Sequence, residues 1–306
     1  MNPLVSICIP TYKQTFLLKE NLDSVCAQLY QNIEVLVSDD TPDDAVKSLV
    51  ETYADRLPLS YFKNSPSLGS PANWNAVLQK AKGEFVLLLH HDDQFARPDS
   101  LALLLKPFRI NPAVDFSFGR NESIENLAKG KAFPWSYFNR YYRDPSLLIA
   151  RNTLGAPSNV LLRRQVVQLY DERFKWIVDV ECYYRLFKGG KKFAYTDQDL
   201  IKTGRHEGQI TNECLNDSSI VLYENLTFAI EKIRKPKSIV VFDFYWRLLR
   251  NNNVRSVDDI TVIGIEEARL PRFIRTIIKA QSKVPVTLLR KGFVSKMLMA
   301  ATYAFL

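Results

Sequence analysis

The apolar positions of this chain fall into short runs broken by turn residues, and the runs alternate with stretches of helical period. Leu4-Val5-Ser6-Ile7-Cys8-Ile9 is one such run, Ile33-Glu34-Val35-Leu36-Val37-Ser38 a second, Leu59-Ser60-Tyr61-Phe62 a third, and Phe85 to Leu89 a fourth. The unbroken run Phe85 to Leu89, entered from Gly83, predicts a strand buried on both faces of a parallel sheet. Pro10 has no N–H to give a ladder, so the first strand is expected to end there. Between the runs, Leu18, Leu22, Val25, Cys26 and Leu29 recur at three- and four-residue steps; further helices are predicted from about Asp44 to Tyr53 and from Asn73 to Lys82. Parallel neighbours need crossover helices, so the order βαβαβαβ predicts an α/β fold with a doubly wound, mostly parallel sheet.

Further along, Val160 to Arg164 reads as a strand. Phe174 to Glu181 leads into a helix that stops at Gly189-Gly190, and Phe193-Ala194-Tyr195 reads as a last strand. Asp197 to Glu213 is polar and long enough to be a lid or binding loop. Gly119 to Asn159 has little pattern; its aromatics (Phe133, Trp135, Tyr137, Phe138, Tyr141, Tyr142) among basic residues are read as core in preference to a sugar-stacking surface. From about Ser218 the period is helical, over Ile220 to Ile233, then Ile239 to Arg250, and again from Pro271, a residue favoured at a first helical position. The expected organisation is a catalytic domain at 1–215 and a helical extension at 216–306.

Charge changes this picture only at the end of the chain. The net charge of +8 is carried by Arg269, Arg272, Arg275, Lys279, Lys283, Arg290, Lys291 and Lys296, with no acidic residue beyond Arg269, while residues 1–268 balance at 33 basic and 33 acidic. No nucleic-acid partner is therefore expected for the main domain. A basic amphipathic helix with Phe273, Ile274, Ile277 and Ile278 on its other face, followed by an apolar end, predicts a peripheral membrane contact through residues 269–306. The bland alternative is that these helices dock on the enzyme. Four scattered cysteines without a Cys-x-x-Cys pair, no basic n-region with a long apolar core at the start, and no apolar run of spanning length point to a cytoplasmic protein, peripheral at most on the membrane face.

Two predicted strands end in paired carboxylates, Asp39-Asp40 after the second and His90-His91-Asp92-Asp93 after the fourth. Ligands of open α/β sheets sit at the carboxyl ends of strands. Adjacent carboxylates there repel one another unless a cation lies between them, and hard oxygen donors suit Mg²⁺ or Mn²⁺ shared with substrate phosphates. The chain has neither Gly-x-Gly-x-x-Gly after its first strand nor Gly-x-x-x-x-Gly-Lys-Ser/Thr, so a nucleotide would be held without a glycine cradle. His90 and His91 are read as shape-setting neighbours of the aspartates. His206 in the polar loop is a candidate metal or diphosphate contact, and Arg205 beside it a candidate phosphate partner through its planar fork.

The run Val5 to Tyr12, then Val37-Ser38-Asp39-Asp40, Ala81 to Phe85, and His91-Asp92-Asp93 with Pro98-Asp99, resembles the family-2 glycosyltransferases of the GT-A fold over about residues 3–212. The resemblance implies a nucleotide-sugar donor, UDP-linked in preference to dTDP- or GDP-linked, and Mn²⁺ or Mg²⁺ as cofactor. It implies that Asp39 or Asp40 accepts from the base, that Tyr12 lies against it, and that Asp92 and Asp93 contact ribose and metal. Pro10, Thr11, Asn73 and Arg205 complete the donor-nucleotide set, and His206 the metal set. His90 stands where many members have the first aspartate of the metal motif. Asp179, six residues before Arg185, matches the family's catalytic base, with Glu181 in reserve; a carboxylate at that helix start is otherwise a helix cap. The acceptor would be a saccharide or lipid-linked saccharide. Two rivals remain: a nucleotide-sugar-binding protein without turnover, and a sugar nucleotidyltransferase, which usually needs a glycine-rich basic loop where Pro10 to Gln14 stand.

Overall fold

The computed structural model describes residues 2–124, 131–204 and 209–306. The chain divides into two compact units. The first holds Met1–Phe138, Thr153–Glu172 and Arg185–Glu207, and the second holds Asn139–Asn152, Arg173–Tyr184 and Gly208–Leu306.

The first unit contains the sheet. Strands β1 (Val5–Thr11), β2 (Ile33–Asp39), β3 (Leu59–Lys63), β4 (Phe85–Leu88), β5 (Gln94–Phe95), β6 (Phe116–Ser123), β7 (Val160–Arg163) and β8 (Phe193–Thr203) lie in the order β3-β2-β1-β4-β7-β6-β8-β5. Four pairings are parallel, β1 with β2 and β4, β2 with β3, and β6 with β8; β7 runs against both β4 and β6, and β5 against β8. Helices α1 (Thr15–Cys26), α2 (Ala45–Glu51), α3 (Ala72–Leu78) and α4 (Ser100–Ile110) make the crossovers. Val5, Ile7, Ile9, Val35, Val37 and Leu87 from the central strands pack with Leu18, Leu22, Val46, Leu101 and Leu104 of the helices in one buried core.

Two expectations need correction. β1 does not stop at Pro10 but runs through it, paired with Ser38 in register. Thr11 accepts from the Asp40 N–H on the β2 side, so the missing N–H of Pro10 faces the β4 side, where pairing has already ended at Leu88. A proline costs no ladder bond there. The polar stretch from Asp197 is not a loop as far as Thr203: it is the second half of β8, laid parallel to β6 with Arg120 opposite Asp199. Arg120 pairs with Asp197 at 3.2 Å and Asp199 at 3.1 Å. Beyond it, Ile210–Asn216 is helical.

The second unit is helical. Ser218–Phe228 runs into a wide π-type turn, Ala229–Ile233, and is followed by Ile239–Asn251, Arg272–Ser282, Val286–Leu289 and Gly292–Ala304. Asp217 and Ser238 cap two of these helices by accepting from the N–H groups of Ser219 and Val240. Phe242, Tyr245, Trp246, Phe273, Ile274 and Ile277 are buried. The apolar face predicted for the helix after Pro271 is therefore spent inside this unit, and only its basic face meets water. Among the described residues no helix is long and apolar enough to cross a membrane.

Candidate active site

The carboxyl edge of β1, β2 and β4 gathers most of the expected donor-site residues. Asn73, at the start of α3, donates to the carbonyls of Thr11 (3.3 Å) and Ser38 (3.2 Å) and accepts from Asn64 (3.1 Å). It ties the ends of β1 and β2 together, and Pro10 and Thr11 are buried beneath. Asp39 is fully buried and accepts from the Thr41 N–H and the Tyr61 hydroxyl, each at 2.7 Å, with Lys63 at 3.3 Å. Asp40 accepts from Asn64 at 2.8 Å and from the N–H groups of Leu68 (3.1 Å) and Gly69 (2.7 Å). Both carboxylates thus shape the loops around them. Tyr12 stands at the strand end, 48% exposed, with the Lys13 ammonium 4.8 Å from its ring centre.

The turn after β4 is held from three sides. Asn21 of α1 donates to the carbonyls of His90 (2.9 Å) and Asp93 (2.7 Å). Ser158 accepts from the His90 N–H at 2.9 Å. The Gly204 N–H, at the end of β8, reaches the Asp93 carboxyl at 3.3 Å. A Cβ on Gly204 would lie 2.3 Å from the Asp92 carbonyl oxygen, so only glycine lets the two backbones approach this closely. The His90 ring packs against Trp74 of α3, with ring centres 4.5 Å apart.

His90, Asp92 and Asp93 each present a donor atom, and the three atoms lie within 4.8 Å of one another. His90 is thus a candidate third donor beside the carboxylates, where the sequence alone offered it a shape-setting part. Burial pushes its imidazole down to about 4, so the ring is neutral near pH 7, and its Nε2 is buried without a hydrogen-bond partner among the described residues. Asp93 is pushed well above the carboxylate range, by burial first and by the neighbouring Asp92 second. An orphaned imidazole nitrogen beside two carboxylates that repel each other fits a divalent cation. Arg205 and His206 lie outside the described residues.

Asp179 belongs to the second unit. It is the second residue of the helix Val178–Lys188, so it sits inside the first turn rather than capping it. Its carboxylate accepts from Asn152 at 2.6 Å and from the Val180 N–H at 2.7 Å. Burial pushes it up to about 6, although those hydrogen bonds pull the other way. The segment leading to it is anchored by Glu224, which accepts from the N–H groups of Lys175 (2.7 Å), Trp176 (2.9 Å) and Ile177 (3.1 Å). Glu181 is buried against Lys232 at 3.0 Å, so its charge is committed elsewhere. Arg185, in the first unit, donates to Gln168 and to the Leu169 carbonyl. Asn21, Ser158 and Asn152 carried no sequence signal; Gly204 was visible only as a glycine in a polar stretch.

An eight-stranded α/β sheet with a carboxylate and imidazole cluster where a central strand runs out defines a GT-A-type fold. The family described as Glycosyl transferase family 2 matches residues 6–170, more than half of the chain, and the chain belongs to that family; it is a glycosyltransferase. It is 28% identical over 251 residues to an uncharacterized glycosyltransferase of Rickettsia typhi, covering 78% of this chain and 76% of that one. Over a shorter span, 105 residues and 33% of the chain, it is 34% identical to the abequosyltransferase RfbV of Salmonella typhimurium, of which 31% is covered. Among solved structures, S. aureus TarS in complex with UDP-GlcNAc matches with a TM-score of 0.54 at 16% identity over 91% of each chain. The mannosyltransferase PcManGT of Pyrobaculum calidifontis, in complex with GDP-Man and Mn²⁺, matches at 0.57 and 16% identity over 99% of this chain and 86% of that one. At such identity these two likenesses carry the fold alone.

Proposed function

We propose that the chain is an inverting, metal-dependent transferase that moves a sugar from a UDP-sugar to a hydroxyl of a saccharide or lipid-linked saccharide. The observation that carries this reading is the convergence of His90, Asp92 and Asp93 where β4 ends. A cation held by these three residues would neutralise the donor diphosphate and the charge that grows on it as it leaves. An imidazole nitrogen among the donors favours Mn²⁺ over Mg²⁺, which keeps to oxygen ligands. Tyr12 offers a half-exposed ring face for the base. Asp39 and Asp40 each accept three hydrogen bonds, and a carboxylate has about four lone-pair sites, so either can still accept from a ring N–H.

Asp179 is the general base in this reading. Held near 6, it is ionised at neutral pH yet basic enough to help. It takes the proton of the acceptor hydroxyl while that oxygen bonds to the anomeric carbon. The bond from that carbon to the diphosphate oxygen breaks on the opposite face, the electron pair leaves with the diphosphate, and configuration inverts. Asn152 and Glu224 hold the base in place. A peripheral contact with anionic lipid belongs on the helix Gly292–Ala304, whose Phe293 and Met297 are exposed near Arg290, Lys291 and Lys296, and not on the helix Arg272–Ser282, whose apolar face is buried.

The test is a panel of UDP-, dTDP- and GDP-sugars with Mn²⁺, scored for hydrolysis with and without chelator. Hydrolysis of the UDP-sugar that chelator abolishes is expected. Binding without hydrolysis of any donor would favour the non-catalytic rival, and full transfer by Asp179→Asn to an identified acceptor would remove Asp179 from its role.

A further inference from the structure

A cleft of about 490 Å³ opens on the helical unit, lined by Ile230, Glu231, Arg234, Arg269, Pro271 and Arg272. None of the six is a donor-site residue or a partner of Asp179. Three arginines line it from separate segments: Arg234 just past the π-type turn, Arg269 at the end of a short 3-10 turn, and Arg272 opening the helix Arg272–Ser282. Among the described residues none of the three guanidiniums has an ion pair. The one acid in the lining, Glu231, is held by Arg173 through both oxygens at 2.6 and 2.9 Å, so its charge is already cancelled.

This arrangement runs against stability. Arg272 sits in the first turn of its helix, where the macrodipole is already positive, and no acidic residue shares that turn. Arg234 takes a φ of +51°, in a region uncommon for a residue with a side chain, and such outliers collect at binding sites. Like charges gathered around a concavity, without an ion pair among the described residues and one of them on an unusual backbone, call for an anion. Arginine forks match phosphate oxygens two at a time. Ile230 and Pro271 add an apolar wall, and the volume lies in the range of organic-ligand sites and exceeds what a bare phosphate fills.

We propose that this cleft binds a phosphate or diphosphate ester, held by Arg234, Arg269 and Arg272 with its carbon substituent against Ile230 and Pro271. Such an ester comes either free in solution or at the head of a lipid. The whole 306-residue chain is titrated by calorimetry in EDTA, so that no cation serves Asp92 and Asp93, with inorganic pyrophosphate, glucose 1-phosphate and farnesyl diphosphate below its micelle concentration. At least one ester should bind about tenfold or more tightly than pyrophosphate; farnesyl diphosphate as the tighter assigns a lipid-borne ligand, glucose 1-phosphate a soluble one. The variant Arg234→Gln/Arg269→Gln/Arg272→Gln should lose at least about tenfold, and Lys237→Gln/Lys279→Gln/Lys283→Gln, with the same loss of charge on the same unit, should keep its affinity. Should the first variant unfold, the single exposed change Arg272→Lys serves instead, weakening the ester by removing the fork while keeping the charge. No binding of either ester by the wild type, or equal losses in the two triple variants, overturns the proposal. Donor hydrolysis is not read in this experiment, so its failure leaves the UDP-sugar reading standing.

Discussion

Asp179 lets the proposed chemistry be tested through stability as well as rate. Burial raises its carboxyl from 3.8 to about 6, which corresponds to about 3 kcal/mol less stability at neutral pH than an unperturbed aspartate would give. The sign follows from the direction. A group that binds its proton more tightly in the folded state contributes stability below pH 3.8, and that contribution is lost as pH rises through 6. Asp179→Asn removes the charge, and its amide can still satisfy Asn152 if that side chain turns its oxygen inward. The variant should therefore be more stable than wild type at pH 7.5 by up to about 3 kcal/mol, with the difference closing below pH 4. Its turnover should fall by about 10²- to 10⁴-fold, the range for loss of a general base. Urea unfolding at several pH values beside steady-state transfer measures both. Wild-type turnover should rise through pH 6 to a plateau, and at pH 5 stand at about a tenth of it. A variant less stable than wild type at pH 7.5, or a wild type that gains stability between pH 4 and 7 through this residue, would refute the reasoning.

The other predictions concern how the site is held. Gly204→Ala forces a Cβ to within 2.3 Å of the Asp92 carbonyl, so the acidic turn must move; Mn²⁺-dependent donor affinity, measured by calorimetry, should drop at least about tenfold. Asn21→Ala leaves the carbonyls of His90 and Asp93 without their donor; unfolding in urea should show a loss of about 1–3 kcal/mol, together with weaker Mn²⁺ binding. Asn152→Ala removes a 2.6 Å hydrogen bond that favours the charged form of Asp179, so the acidic limb of the pH–rate profile should shift upward while the donor KM stays unchanged.

The first half of the fold was legible because its central strands β1, β2 and β4 are almost wholly buried and read as mostly apolar runs. β6 and the end of β8 were not, since Arg120, Glu122, Asp197, Asp199 and Lys202 look like a loop in sequence. Their charges answer one another across the ladder, Arg120 to Asp197 and Asp199, Lys202 to Glu122 at 3.8 Å, a match visible only once the strands are paired. Pro10 misled for a related reason: whether a strand tolerates proline depends on which neighbour its nitrogen faces, and register decides that. At the site, the paired aspartates announced themselves by type and position. His90 did not, because its candidacy as a donor depends on burial, on the Trp74 ring and on a nitrogen without a partner among the described residues. Asn21, Ser158 and Gly204 come from far along the chain and reach the turn only in the folded state.

The central claim is that the turn after β4 holds the divalent cation on which donor binding depends. Calorimetric titration of the wild type with UDP-sugar and Mn²⁺, repeated in EDTA and with Asp92→Ala/Asp93→Ala, tests it most directly. The predicted result is a loss of at least about 100-fold in donor affinity under either condition, with His90→Ala losing Mn²⁺ affinity by about tenfold or more. Undiminished donor affinity in both chelator and the double variant would contradict it.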